Sequence, residues 1–206
     1  MFKKALLALS LCLAVSATAF AASVEKKEEG DKYKVSYPVF TLKNEKAAQR
    51  INDDILRVVN ETKKLAKSTD PVYVAVGTNY EIISENDKYI CLILTPWDNL
   101  GGAHGMYYDQ GIVYDAKSGK RVPYTKFAKK IKAEDLYDGI ANGQYKVYCS
   151  DLTTKSEAPF LEYIKKNEFK VSKHYILKDG KVYLMYPPYE LDCYAVGTTY
   201  VELPKK

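Results

Sequence analysis

Three features of the sequence predict an α+β fold with helices packed on an antiparallel sheet. An apolar stripe of helical period runs from residue 44 to 66, and strand-like runs between 72 and 115 are joined by connections too short for a parallel crossover. The dipeptide Asp179-Gly180 lies between two further strand-like runs. The expected architecture is a meander plus a C-terminal hairpin, carrying one long amphipathic helix and shorter helices.

The chain of 206 residues opens with Lys3 and Lys4, an apolar run from Ala5 to Val15 and the small-residue end Ala19-Phe20-Ala21. This is the pattern of a secretory signal peptide cleaved after Ala21. Leu11 before Cys12 does not suit a lipobox, and no later segment approaches the ~20 apolar residues of a membrane helix. The expected product is therefore exported, periplasmic or extracellular, and soluble after cleavage. Residues 1–21 are assigned to the signal, 22–32 (polar, charged and without periodicity) to a flexible leader, and 33–206 to a single domain with sub-segments of about 33–98 and 99–206.

Within that domain Tyr33 to Leu42 alternates as a strand, with Pro38 placing it at an edge or a bulge. Asn44 is a fitting N-cap, and Ala48, Ile51, Ile55, Val58, Val59, Thr62, Leu65 and Ala66 form one stripe of a helix from 44 to 66. Val72 to Ile83 and Lys88 to Pro96 flank a polar turn. A glycine-dense connection then leads into Met106 to Asp115, read as a half-buried strand. Tyr124 to Asn142 and Ser156 to Asn167 are helix candidates. Lys170 to Tyr186 forms the hairpin around Asp179-Gly180, and Tyr194 to Leu203 closes the sheet. Pro187-Pro188-Tyr189-Glu190 reads as a rigid turn holding an aromatic ring and a carboxylate at the surface.

The formal charge of +5 becomes +3 once Lys3 and Lys4 leave with the signal. Neither value amounts to the concentrated basic stripe of a nucleic-acid binder, a role that export also opposes. The 19 tyrosines suit a tyrosine-rich sheet, or a binding face whose rings pack while their hydroxyls stay wet.

The stretches YPVFTLKNEKAAQRINDDI, GGAHG, YDAKSGK and LMYPPYELDCYAVG occur in that order. Together they resemble an exported module of unknown biochemical function, found in the RsiV-type anti-sigma-factor ectodomain and beside a secreted peptidoglycan deacetylase domain. The resemblance spans about residues 33 to 204. It implies an α+β fold with an antiparallel sheet, exposure to the cell envelope and, in the anti-sigma members, binding of lysozyme. This chain departs from both relatives. Neither the sigma-binding segment and transmembrane helix of the one nor the deacetylase domain of the other is expected from these residues.

No H-E-x-x-H, G-x-S-x-G or phosphate-loop motif occurs, so no cofactor and no metal are expected. The histidines are His104 and His174. His104, in the Gly-rich turn, is the one weak catalytic candidate. With Asp98, Asp109 or Asp115 it could assemble a general-base or metal site; otherwise it is a turn histidine bonded to backbone. The ligand-binding residues expected are Tyr186, Pro188, Tyr189 and Glu190, because an aromatic on a stiff diproline turn loses little entropy on binding. Of the cysteines outside the signal, Cys91 reads as a buried apolar residue, and any disulfide is expected between Cys149 and Cys193. The functional expectation is a non-catalytic envelope module for a cell-wall glycan or a secreted protein such as lysozyme, with a small hydrolase centred on His104 as the alternative. Because animal lysozymes are strongly basic and this chain is mildly so, the wall polymer ranks first.

Overall fold

The computed structural model describes residues 21–67 and 75–206. The expected signal peptide, apart from its last position, lies outside the described residues, as do the breaker at 68–71 and the first three residues of the strand expected at 72–83.

Two sheets make up the fold. Among the described residues, the larger has six strands: β1 (Ala21–Gly30), β2 (Tyr33–Leu42), β3 (Ala75–Glu85), β4 (Tyr89–Asn99), β5 (Met106–Tyr107) and β6 (Gln110–Asp115). Their order is β1-β2-β3-β4, with β5 and β6 both pairing β4. The smaller sheet has the order β7-β10-β9-β8, from β7 (Val147–Tyr148), β8 (Tyr175–Lys178), β9 (Lys181–Tyr186) and β10 (Thr199–Leu203). Among the described residues the α-helices are α1 (Glu45–Ala66) and α2 (Ala133–Ala141). The α+β class and the antiparallel run β3-β4-β6 are as the sequence predicts. The pairing of β2 with β3 is parallel, over Tyr33–Val35 and Val76–Thr78, with α1 between them in the chain.

The leader is the first correction. Instead of a flexible stretch, Ala21–Gly30 pairs with all ten residues of β2. Its charges are those of an edge strand, and they find partners. Ser36 donates to Glu25, while Glu28 accepts the Tyr37 hydroxyl at 2.6 Å and pairs with Lys63 of α1. These contacts hold the Glu28 carboxyl below its ordinary pKa.

α1 begins where Asn44 Oδ1 accepts from Ala47 N at 3.3 Å, and it buries Ile51, Ile55, Val58 and Val59. Two turns in, Asn52 acts as a strand partner. Its side chain accepts from Phe40 N at 2.8 Å and donates to Phe40 O at 2.9 Å, satisfying a part of β2 that runs beyond its pairing with β3. Pro38 lies in that same part, free of β3 but opposite Glu25 of β1 in an uninterrupted register, so the edge or bulge expected there is not found.

β6, like its neighbour β4, is buried on both faces, a second correction, to the half-buried strand expected at 106–115. Ile90, Leu92, Leu94, Ile112 and Tyr114 face α1 and β2. Cys91, Ile93 and Val113 join Tyr175, Ile176, Leu184 and Val201 of the smaller sheet. The approach is close. A Cβ at Gly111 would lie 2.5 Å from the Tyr175 carbonyl oxygen, so only glycine admits β8 at this point. The expected strand 106–115 is also broken at Tyr108-Asp109, where the Asp109 carboxylate accepts from Thr95 (2.5 Å) and Thr198 (2.7 Å).

Both later helix candidates shrink. Tyr124 to Asn142 yields a 3-10 turn at Tyr124–Lys126 and then α2, because Ala128 is drawn into a bridge with Lys205. Ser156 to Asn167 yields only a 3-10 turn, Pro159–Tyr163. Ser156 N is bonded to Val147 O, and Ala158 reverses the chain at φ 49°. The hairpin is as expected: Asp179 and Gly180 both have positive φ, 51° and 68°, as a type I′ turn requires.

Candidate functional site

The loop after β4 and the turn after β9 meet on one surface. In the first, His104 Nδ1–H donates to the Gly105 carbonyl at 3.0 Å. The same carbonyl accepts the Tyr194 hydroxyl at 2.8 Å. Because Gly105 O can only accept, Nδ1 carries the proton and Nε2 is left as the acceptor, which takes the Tyr189 hydroxyl at 3.2 Å. The imidazole lies flat over Tyr194, with centroids 3.8 Å apart and planes at 21°.

The turn is held from below. Tyr189 N bonds to Asp192 O and Glu190 N to Pro187 O. The buried Asp192 carboxylate accepts from Cys193 N at 2.8 Å and from the Ser156 hydroxyl. Phe160 N bonds to Leu191 O at 3.1 Å, which carries Phe160 and Tyr163 to the same surface.

A row of aromatic rings results. Tyr163 meets Phe160 edge-on at 5.9 Å, and Phe160 runs nearly parallel to Tyr189 at 6.4 Å and 15°. Tyr189 is 6.4 Å from His104 and 5.9 Å from Tyr194, and Tyr107 meets Tyr194 at 5.8 Å. Separations near 6 Å exceed face-to-face contact, so these neighbours are offset and leave ring surface open. Tyr163 is 77% exposed and Tyr189 47%.

Backbone strain gathers here as well. Among the described residues outside the hairpin turn, the non-glycine residues at positive φ are Leu152 (58°), Ala158 (49°) and Tyr189 (72°). Ala158 leads into Phe160, and Tyr189 is itself in the row. A bulky residue at such φ costs on the order of 1 kcal/mol, and such strain concentrates at functional sites.

The four residues expected to bind ligand divide into two layers. Tyr189 and Glu190 are exposed, whereas Pro188 and Tyr186 are buried beneath them. Tyr186 stacks on Phe169 at 5.7 Å and donates its hydroxyl to Lys170 O at 3.2 Å, so it supports the turn. Glu190 borders a cleft of about 490 Å³ shared with Lys170, Lys173, His174, Tyr108 and Pro187. Desolvation there lifts the Glu190 carboxyl above its ordinary pKa, and burial pushes His174 down to about 4.

Both nitrogens of His104 are engaged by Gly105 and Tyr189 rather than by a carboxylate. Asp109 is taken by its two threonines and Asp115 by Ser118, while a buried oxygen of Asp98 has no hydrogen-bond partner. Among the described residues, no group of three or more His, Cys, Asp or Glu side chains could hold a metal ion. Sequence reasoning missed Tyr194, Phe160, Tyr163 and Tyr107. In so tyrosine-rich a chain, nothing in the local pattern separates surface rings from buried ones.

The architecture defines a class: an α+β protein of two packed sheets with an exposed aromatic surface at one end of the turn after β9. Residues 24–107 match the family model described as Deacetylase PdaC, and residues 123–206 match that described as a protein of unknown function, DUF3298. No curated protein matches the sequence. The fold is similar to the crystal structure of a DUF3298 family protein from Pseudomonas aeruginosa, at 16% identity and TM-score 0.57, with 89% of each chain covered. It is also similar to a DUF3298 family member from Bacteroides fragilis, at 11% identity and TM-score 0.56, again over 89% of each chain. At such identities the likeness is one of fold. Among the described residues, no helix is long and apolar enough to cross a membrane.

Proposed function

We propose that this chain is a non-catalytic binding module of the bacterial cell envelope, and that its aromatic row takes a cell-wall glycan. The observation that carries the reading is the row itself, in which Tyr163, Phe160, Tyr189, His104 and Tyr194 follow one another at the surface. Pyranose rings present apolar C–H faces that pack on aromatic faces, while their equatorial hydroxyls point outward to polar groups. A row of offset rings suits a repeating chain of such sugars better than a single compact ligand.

Two further observations support an envelope ligand. One is the match to a model named for a deacetylase; the other is the resemblance of the sequence motifs to a module found beside a peptidoglycan deacetylase domain. His104 contributes a ring and a fixed tautomer. With both nitrogens bonded it orients Tyr189, which favours binding over hydrolysis.

If each of three rings contributes about 1.3 kcal/mol, the affinity for one strand is roughly millimolar. Retention on an insoluble polymer then comes from many adjacent sites. The test is a pull-down of the chain on insoluble peptidoglycan, beside Tyr189→Ala and Tyr163→Ala. Retention by the wild type and its loss in both variants is the expected result. Tight, salt-resistant capture by immobilised lysozyme with no retention on peptidoglycan would replace the glycan with a protein ligand.

A further inference from the structure

We propose that Cys149 and Cys193 form a disulfide site that clamps the turn bearing the aromatic row onto the end of β7. Both thiols are free and partly buried, and the segments that carry them are already in contact. Ser150 N, one residue after Cys149, donates to Val196 O at 3.4 Å, three residues after Cys193. A Cβ at Gly197 would meet the Ser150 side chain at 3.0 Å.

Each cysteine is fixed by its own backbone. Cys149 N bonds to Thr154 O and Cys149 O accepts from Leu152 N, while Cys193 O accepts from Val196 N and Cys193 N donates to Asp192. Two such preset positions lose little further freedom on bridging, and the cross-link would close a long loop, the case in which a bridge constrains the unfolded chain most. Burial, together with the Asp151 and Asp192 carboxylates and the neighbouring Cys193, holds the Cys149 thiol above its ordinary pKa. Closing the bridge removes two electrons, so the step needs an oxidant, here a disulfide. The third thiol is set apart. Cys91 is fully buried, accepts from Leu177 N and is pushed up to about 11.

The exchange balances in two steps. One cysteine sulfur attacks a sulfur of the oxidant disulfide, breaking that S–S bond and releasing one thiol. The second cysteine sulfur then attacks the mixed disulfide, closing Cys149 to Cys193 and releasing the other. Two electrons and two protons leave with the oxidant. The bond would fix Cys193, next to the Tyr194 ring under His104, and so hold the row in place. Bridging depends only on the two cysteines and stands whether or not the row binds glycan.

The test treats the folded chain with oxidised glutathione, blocks remaining thiols by alkylation and maps peptides without reduction. The expected product is a Cys149–Cys193 cross-linked peptide with Cys91 alkylated only after unfolding. The melting temperature should rise by roughly 5–10 °C over the reduced chain, a shift lost in Cys149→Ser and Cys193→Ser. Glutathione left on both cysteines without a cross-link, a bridge containing Cys91, or a disulfide between two copies would each overturn the assignment. The comparison of oxidised with reduced wild type keeps the test valid if either variant folds poorly.

Discussion

Tyr189 donates its hydroxyl proton to His104 Nε2 across 3.2 Å, joining residues 85 positions apart in the chain. The Gly-rich loop after β4 and the diproline turn after β9, separate in the sequence, therefore form one surface. The imidazole is held in a single tautomer by that surface.

Tyr189 separates function from stability. At φ 72° its backbone suits glycine, so Tyr189→Gly removes the ring while relieving strain. Its urea midpoint should place stability within about 1 kcal/mol of the wild type, while retention on peptidoglycan falls at least several-fold. Tyr189→Phe keeps the ring and loses only the bond to His104, so it should retain most binding. Equal loss in both variants would assign the work to the hydroxyl.

Asn52 is the side chain that completes β2. Asn52→Ala leaves the N–H and C=O of Phe40, a residue only 2% exposed, without their partners. Chemical denaturation should show a loss of about 2–3 kcal/mol. A loss under 0.5 kcal/mol would mean that water reaches Phe40 as readily as Asn52 does.

The hairpin turn offers a backbone test. Gly180→Val puts a β-branched residue at φ 68° and should cost on the order of 1–2 kcal/mol. The nearest side-chain atom to the new Cβ is the flexible Lys205 ammonium nitrogen at 3.5 Å, so conformation rather than collision sets the cost. An unchanged melting temperature would contradict a type I′ turn at these residues.

His174 makes stability depend on pH. Burial lowers its pKa from 6.5 to about 4, with the positive charges of Lys173 and Arg121 acting in the same direction. Between these values the unfolded chain binds the proton and the folded chain does not. The contribution is thus complete above pH 6.5 and is lost as the pH falls toward 4. With the ring only partly buried, the change should be about 2 kcal/mol, read from urea midpoints at pH 7 and 4.5. His174→Gln should flatten the slope across that window.

The parts of the fold legible in the sequence are those with strong local signals. The stripe and cap of α1, the span of β2 and the Asp179-Gly180 turn all stand where their residues place them, although the buried side of β2 changes parity at Pro38, so that Phe40 and Leu42 face the core in place of Val39. β1 was hidden because Glu25 to Glu29 has the composition of a solvated linker, and its order depends on partners in β2 and α1 that only the folded chain supplies. The helix read at 156–167 failed for a similar reason: Ser156 is bonded to Val147 and Asp192, so it cannot start a helix. Within the site, Tyr189 and His104 stood out separately. Their contact, and the arrival of Phe160 through Leu191, are tertiary facts with no trace in local pattern.

Because β4 and β6 are covered on both faces, the boundary between the two matched stretches, 24–107 and 123–206, is not a place where the molecule comes apart. Cys91 and Ile93 of the first stretch lie in the core roofed by the second. A gene rearrangement that moved either half alone would deliver a sheet stripped of its lining, prone to stick to other copies. The two halves would have to be inherited together, or each would need a new neighbour to shield the face it had lost.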